Sequence, residues 1–257
     1  MFEKLGLQIY TIRDFIKDPD FADVAFRKIA EMGYTEAHTA SFDIADERYA
    51  KLLAKHGISV IGTHYALDKI LGEHEKTMEI HKMLGTTNIG IGGWFTPAKS
   101  APEKIKDFIA DFNKAAEVYA KHGFRLTYHN HSFEFVRLSN NKTLMDMLYE
   151  GLDPATTSFV LDTCWVAAGG GDVVDWIEKL EGRLDILHLK DLTMKYEGDR
   201  VVPLMTEVGN GSLNWDKIMT AAEKIGVKHY IVEQDFCPGS PFESIKQSAE
   251  FLKKYQK

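Results

Sequence analysis

Eight short apolar runs alternate with eight longer amphipathic ones along the whole chain, and that alternation leaves few folds open. The apolar runs fall at 5–12, 35–40, 58–65, 88–93, 125–131, 157–164, 184–190 and 229–235. Several are apolar through their centres, as strands covered on both faces must be. Helical patterns lie between them near 20–32, 45–56, 68–84, 102–122, 143–150, 172–181, 214–225 and 241–255. In the first, Phe21, Val24, Ala25 and Ile29 make one apolar stripe that Gly33 closes. Gly57, Gly85, Gly123 and Gly226 stand at equivalent stops, and Asn214 is placed to cap a helix start. Strand then helix, repeated, requires parallel pairing with right-handed crossovers. Eight such units predict a single α/β domain over residues 1–257, a (β/α)8 TIM barrel. A doubly wound open sheet is the rival, but no Gly-x-Gly-x-x-Gly follows the first strand. The longest connection, 191–213, is expected to be a functional or mobile loop at the C-terminal end of the seventh strand.

Composition narrows the partners. Lys plus Arg number 31 against 38 for Asp plus Glu, a formal charge of -7. That balance argues against nucleic acid or an anionic membrane as partner, both of which need a basic field. Cys164 and Cys237 are too few for a disulfide framework. The chain enters an apolar strand directly after Met1-Phe2-Glu3-Lys4, without a basic leader. No apolar run approaches the roughly 20 residues a membrane span needs. A soluble cytoplasmic protein handling a small molecule is expected. Helix 241–255 offers a face on which a second copy could pack to form a homo-oligomer.

In a barrel, polar side chains at C-terminal strand ends converge on one mouth. Here these are His38, His64, the run His129-Asn130-His131 with Glu134, Asp162, His188 with Lys190 and Asp191, and Glu233 with Asp235. Oxygen and nitrogen donors without cysteine suit one divalent ion: Mn²⁺, Mg²⁺, Co²⁺ or Zn²⁺. His129 and His131 compete for one place there, and at most one of them is expected in the mouth. Lys190 shares a strand face with His188 and stands to meet a substrate oxygen or act as a base. An ion pair with Asp191 or Asp162 is its other role. Trp94 and Trp165 are candidates to stack on a sugar ring or to pack in the core. His56, His74, His81 and His122 fall on helices or helix ends and are expected on the outer surface.

The order and spacing of several short motifs carry a resemblance. They are Gly6-Leu7-Gln8-Ile9-Tyr10-Thr11-Ile12-Arg13-Asp14, Tyr128-His129-Asn130-His131-Ser132-Phe133-Glu134-Phe135 and Leu161-Asp162-Thr163. His188-Leu189-Lys190-Asp191, Val208-Gly209-Asn210-Gly211 and Val232-Glu233-Gln234-Asp235 complete the set. With these, the chain resembles the xylose-isomerase-like barrels. Those include sugar isomerases, ketose 3-epimerases, inosose dehydratase and, more distantly, endonuclease IV. The resemblance implies Glu134, Asp162, His188 and Glu233 as metal ligands, with His129 or His131 as substitutes for Glu134. It also implies Glu134 and Glu233 as acid and base on opposite faces of a sugar. His38, His64, His131, Gln8, Tyr10 and Arg13, with Lys190, Trp94 and Trp165, are the candidate substrate contacts.

Three departures stand out. Trp165 occupies the place of a histidine, Met194 that of an arginine, and His38 that of an acid. The implied activity is metal-dependent isomerisation or epimerisation of a ketose through an enediolate. Elimination from an inosose or 3-keto-glycoside, which uses the same enolate, is the alternative. An abasic-site endonuclease and a non-catalytic sugar-binding barrel are the remaining readings, the first opposed by the acidic charge.

Overall fold

The structure, a computed structural model, describes residues 1–40 and 42–257. Eight parallel strands close into a barrel. They are β1 (Leu5–Gln8), β2 (Tyr34–Thr39), β3 (Ser59–His64), β4 (Asn88–Ile91), β5 (Arg125–His129), β6 (Thr157–Asp162), β7 (Leu184–Leu189) and, after an antiparallel pair β8 (Asp191–Glu197) and β9 (Arg200–Thr206), β10 (His229–Val232). β1 pairs with β10 on one side and β2 on the other, which completes the ring.

The helices of the outer layer are α1 (Pro19–Glu31), α2 (Glu47–Lys55), α3 (Leu67–Gly72), α4 (His74–Leu84), α5 (Pro102–Ala120), α6 (Leu144–Gly151), α7 (Thr163–Ala168), α8 (Val173–Lys179), α9 (Trp215–Ile225) and α10 (Pro241–Leu252). Asp18, Asp46, Asp172 and Asn214 accept backbone N–H bonds at the starts of α1, α2, α8 and α9. Gly85 and Gly226 end α4 and α9 in the left-handed region, at φ 76° and 79°.

The main core lies between sheet and helices. Inside the ring, Ile61, Val160, Ile186 and Ile231 form a separate apolar plug, and above it the polar strand ends open to one face. No helix among the described residues is long and apolar enough to cross a membrane.

Four expectations change. The first strand stops at Gln8, and the residues after it coil into a 3-10 segment, Ile9–Phe15. Tyr10 and Arg13 therefore sit on a turn rather than on a strand. The single helix expected over 68–84 is two, broken at Glu73 (φ -122°). A short helix, α7, follows β6 directly, started by the Asp162 carboxylate, which accepts the Trp165 N–H. The expected loop 191–213 is largely a hairpin, β8 and β9, in register from Asp191↔Thr206 to Glu197↔Arg200.

Candidate metal centre and active site

Four donor atoms from β5, β6, β7 and the end of β10 meet at the barrel mouth. His129, Asp162, His188 and Glu233 each bring one ligand atom within 4.8 Å of the others, and all four side chains are buried. His129 Nε2 is 3.6 Å from Asp162 Oδ2 and 3.9 Å from Glu233 Oε2, while His188 Nδ1 is 2.9 Å from that same Glu233 oxygen.

The surrounding hydrogen bonds fix which atoms face the centre. His129 Nδ1 donates to the Gly92 carbonyl at 3.4 Å, leaving the Nε2 lone pair aimed inward without a partner. Asp162 Oδ1 accepts the Trp165 N–H, so Oδ2 is the free oxygen. The amide oxygen of Gln8 accepts the Tyr10 N–H, which turns its Nε2 toward His38 Nδ1, 3.0 Å away. His38 Nδ1 is thus an acceptor, and the contact at 2.9 Å from His188 Nε2 requires that nitrogen to donate. The His188 lone pair then lies on Nδ1, facing a carboxylate oxygen. A cation seated between these two groups would satisfy both.

Charge agrees with that donor chemistry. Lys190 Nζ is 3.3 Å from Asp162, 3.3 Å from Glu233 and 2.9 Å from Asp235. One ammonium against three carboxylates leaves a deficit of two positive charges, which a divalent ion supplies. Burial opposes the Lys190 charge, but its three acidic partners outweigh burial and hold its pKa above the ordinary lysine value. Burial and the neighbouring Glu233 push the Asp162 carboxyl well up. Glu233 goes the other way: burial would raise it, yet the Lys190 ammonium beside it brings it well below the usual range. A mixed set of two imidazoles and two carboxylates fits a resident divalent cation, with Mn²⁺, Co²⁺ and Zn²⁺ better matched than Mg²⁺.

Glu134, expected as a ligand and as an acid or base, is not one of the four. β5 ends at His129, and the chain folds into a 3-10 turn, Ser132–Phe135, that carries Glu134 back beneath its own start. There Tyr128 Oη donates to one carboxylate oxygen at 2.8 Å and the His131 N–H to the other at 2.7 Å. Burial raises its pKa to about 7. His129 stands in the place assigned to Glu134. Both His129 and His131 line the mouth, against the expectation of at most one, because residues two apart along a strand direction point to the same face.

A cavity of about 340 Å³ opens above the four ligands, lined by Tyr10, Ala40, His64, Gly92, Phe95, His129, His131, Lys190, Glu233 and Asp235. His64 and His131 are therefore placed where a substrate would sit. Burial brings their pKa values down to about 3 and about 4, so both imidazoles are neutral at pH 7. Gln8 and His38 are wholly buried; His38 touches the ligand His188, and Gln8 holds His38 in turn. Gly62 makes room for His38, since a Cβ there would lie 2.8 Å from the ring.

Arg13 donates to the carbonyls of Tyr10 and Asp235 and lines a separate recess of about 180 Å³. Trp94 is stacked on Phe108 at 4.6 Å in the outer packing, and the adjacent Phe95 faces the cavity. Trp165 sits behind His131 and under Lys190, whose Nζ is 4.9 Å from its ring centre. Sequence reasoning passed over Phe95 and gave no role to Asp235 or Asn130. The Asn130 side chain accepts the Asp162 N–H at 2.9 Å and so positions that ligand. Its place between two mouth histidines was the available signal.

With ring and site in view, the chain belongs to the Xylose isomerase-like TIM barrel family, whose pattern matches residues 26–255. It is 23% identical over 166 residues to an inosose dehydratase of Geobacillus thermodenitrificans, covering 59% of this chain and 55% of that one. The chain thus spans about half the length of that relative. An inosose dehydratase of Mesomycoplasma hyopneumoniae is 21% identical over 266 residues, 90% of this chain and 87% of the other. A crystal structure of a sugar phosphate isomerase/epimerase from Parabacteroides distasonis superposes with a TM-score of 0.81 at 23% identity, covering 98% and 96% of the two chains. That likeness shows the shared fold.

Proposed function

We propose that this chain is a divalent-metal-dependent cytoplasmic enzyme that removes the proton beside the carbonyl of a keto-sugar or keto-polyol. The observation that carries the reading is the convergence of His129 Nε2, Asp162 Oδ2, His188 Nδ1 and Glu233 Oε2. These residues would hold the ion, which when bound supplies Lewis-acid polarisation of a carbonyl. Glu233, ionised at the cavity wall, takes the proton from the neighbouring carbon. His64 and His131 offer neutral ring nitrogens to hydroxyl groups, and Lys190 stabilises negative charge developing on oxygen.

Elimination of water is the outcome this geometry favours. Two-sided epimerisation needs an acid and a base on opposite faces, and Glu134 is committed to Tyr128 and His131 instead. Elimination needs one base and one donor: Glu233 takes the α-proton, the Lys190–Asp235 pair donates to the β-hydroxyl, water leaves and a C=C bond remains. The inosose dehydratases among the relatives support this choice. Isomerisation or epimerisation, the activity for which the Parabacteroides protein is named, is the second reading and shares the same first step.

The test is solvent deuterium exchange at the α-carbon of ketoses, inososes and 3-keto-glycosides with manganese-loaded protein. Wild type exchanges at least one of them. Glu233→Gln retains part of its metal and loses exchange by about 10³-fold or more. Undiminished exchange in that variant would exclude Glu233 as the base.

A further inference from the structure

We propose that this chain forms a symmetric dimer in which the β8–β9 arm of each copy lies in an apolar groove between α1 and α10 of the other. The arm leaves the barrel one residue after Lys190, and every residue from Met194 to Val201 is exposed. Directly opposed residues of an antiparallel pair share a face. The register Leu192↔Met205, Met194↔Pro203 and Tyr196↔Val201 therefore puts six apolar side chains on one face of the ribbon. Lys195, Glu197 and Arg200 take the other face, where Lys195 and Glu197 pair at 2.8 Å. Tyr196, at the far end of the apolar face, is 82% exposed. A two-stranded hairpin is marginal in water by itself, and an apolar face of this kind marks a contact surface.

The groove supplies the complementary shape on the same molecule. It is a cavity of about 510 Å³ lined by Phe15, Phe21, Val24 and Phe242, with Asp14 and Lys28 on its rim. Phe21 and Val24 belong to the apolar stripe of α1, yet Phe21 is 71% exposed and Val24 is exposed as well, so the stripe is wider than the core it covers. Charge, symmetry and area name a second copy as the occupant. At the tip of the arm the charges of Lys195, Glu197, Asp199 and Arg200 cancel. At the groove, Asp14 pairs with Lys17 at 2.8 Å and Lys28 lies over the Phe242 ring at 4.8 Å. Two surfaces that each offer both signs can meet in a chain whose overall charge is -7. Twofold symmetry repeats every contact, so one closed dimer fills both grooves with both arms. Strands of seven residues give the ribbon a face of about 20 by 10 Å. Two arms in two grooves would bury on the order of 1,000 Å², the size a specific interface needs.

Sedimentation velocity on the full chain, over a range of concentrations, tests this. Wild type should sediment as a dimer. Tyr196→Arg on the arm and Phe21→Glu in the groove each strike both contacts, and each should weaken association by about a hundredfold or more. Both side chains are exposed, so the melting temperatures should stay within a few degrees of wild type. Mixing the two variants should restore a dimer, because one contact then sets the new arginine against the new glutamate and the other is wild type. A monomeric wild type, as expected of an arm folded over its own mouth, overturns the proposal. A dimer that survives either substitution, or variants that stay monomeric when mixed, overturns it equally.

Discussion

His81 shows how far a residue's address on a helix can mislead about its surroundings. Its position in α4 suggested an outward imidazole, yet the ring is fully buried. Nδ1 donates to the Thr77 carbonyl at 2.7 Å, and Nε2 accepts from the Thr63 hydroxyl of β3 at 2.7 Å. Burial lowers its pKa from the ordinary 6.5 to about 4. The unfolded chain takes up this proton below pH 6.5 while the fold resists it until about 4. The site therefore contributes stability above pH 6.5 and loses it as the pH falls, by up to about 3 kcal/mol. Thermal melts of wild type and His81→Gln from pH 7.5 to 4.5 test this: the variant's melting temperature should fall less steeply below 6.5. Parallel curves would mean that His81 is not a source of acid sensitivity. The same physics makes Glu134 hard to assign from sequence. A carboxylate three residues after a strand end reads as a ligand unless the 3-10 turn that consumes its oxygens can be foreseen.

At the scale of elements, the markers His188-Leu189-Lys190-Asp191 and Val208-Gly209-Asn210-Gly211 turn out to be one device. Asp191 accepts the N–H groups of Leu192, Gly209, Gly211 and Leu213 and the Trp215 indole N–H at 2.6 Å. It clamps both ends of the β8–β9 excursion to the barrel, and the strand that bears His188 and Lys190 is anchored with it. Gly211 is required by closeness, since a Cβ there would lie 2.1 Å from Asp191 Oδ1 and 2.5 Å from the Leu192 carbonyl. Gly211→Ala should cost about 2 kcal/mol through overpacking, read by denaturant unfolding. Gly72→Ala, which meets nothing within 4 Å, should be near neutral. Equal behaviour of the two variants would refute the clamp. The hairpin itself was not legible beforehand. Its pairing is long in register but its outward residues Met194, Tyr196 and Val201 are exposed, so no half-buried alternation announced it.

Taken whole, the molecule was readable where periodicity dictates packing. All eight barrel strands lie within the apolar runs or one residue beyond them, because strands covered on both faces leave little freedom of composition. Boundaries shifted where local hydrogen bonds compete with the ladder. Gln8 accepting the Tyr10 N–H draws the chain off β1, and the Asp162 carboxylate starts α7. The mouth was legible as a set of strand ends, and three of the four expected ligands, Asp162, His188 and Glu233, do converge. The fourth position depended on where β5 stops, which one residue decides.

The most direct test of the metal centre is therefore the metal content of purified protein dialysed against manganese, for wild type, His129→Ala, Asp162→Asn and Glu134→Gln. One ion per chain is predicted for wild type and for Glu134→Gln, with large losses in His129→Ala and Asp162→Asn. A metal-free wild type, or an ion lost with Glu134 and kept without His129, would contradict this description of the site.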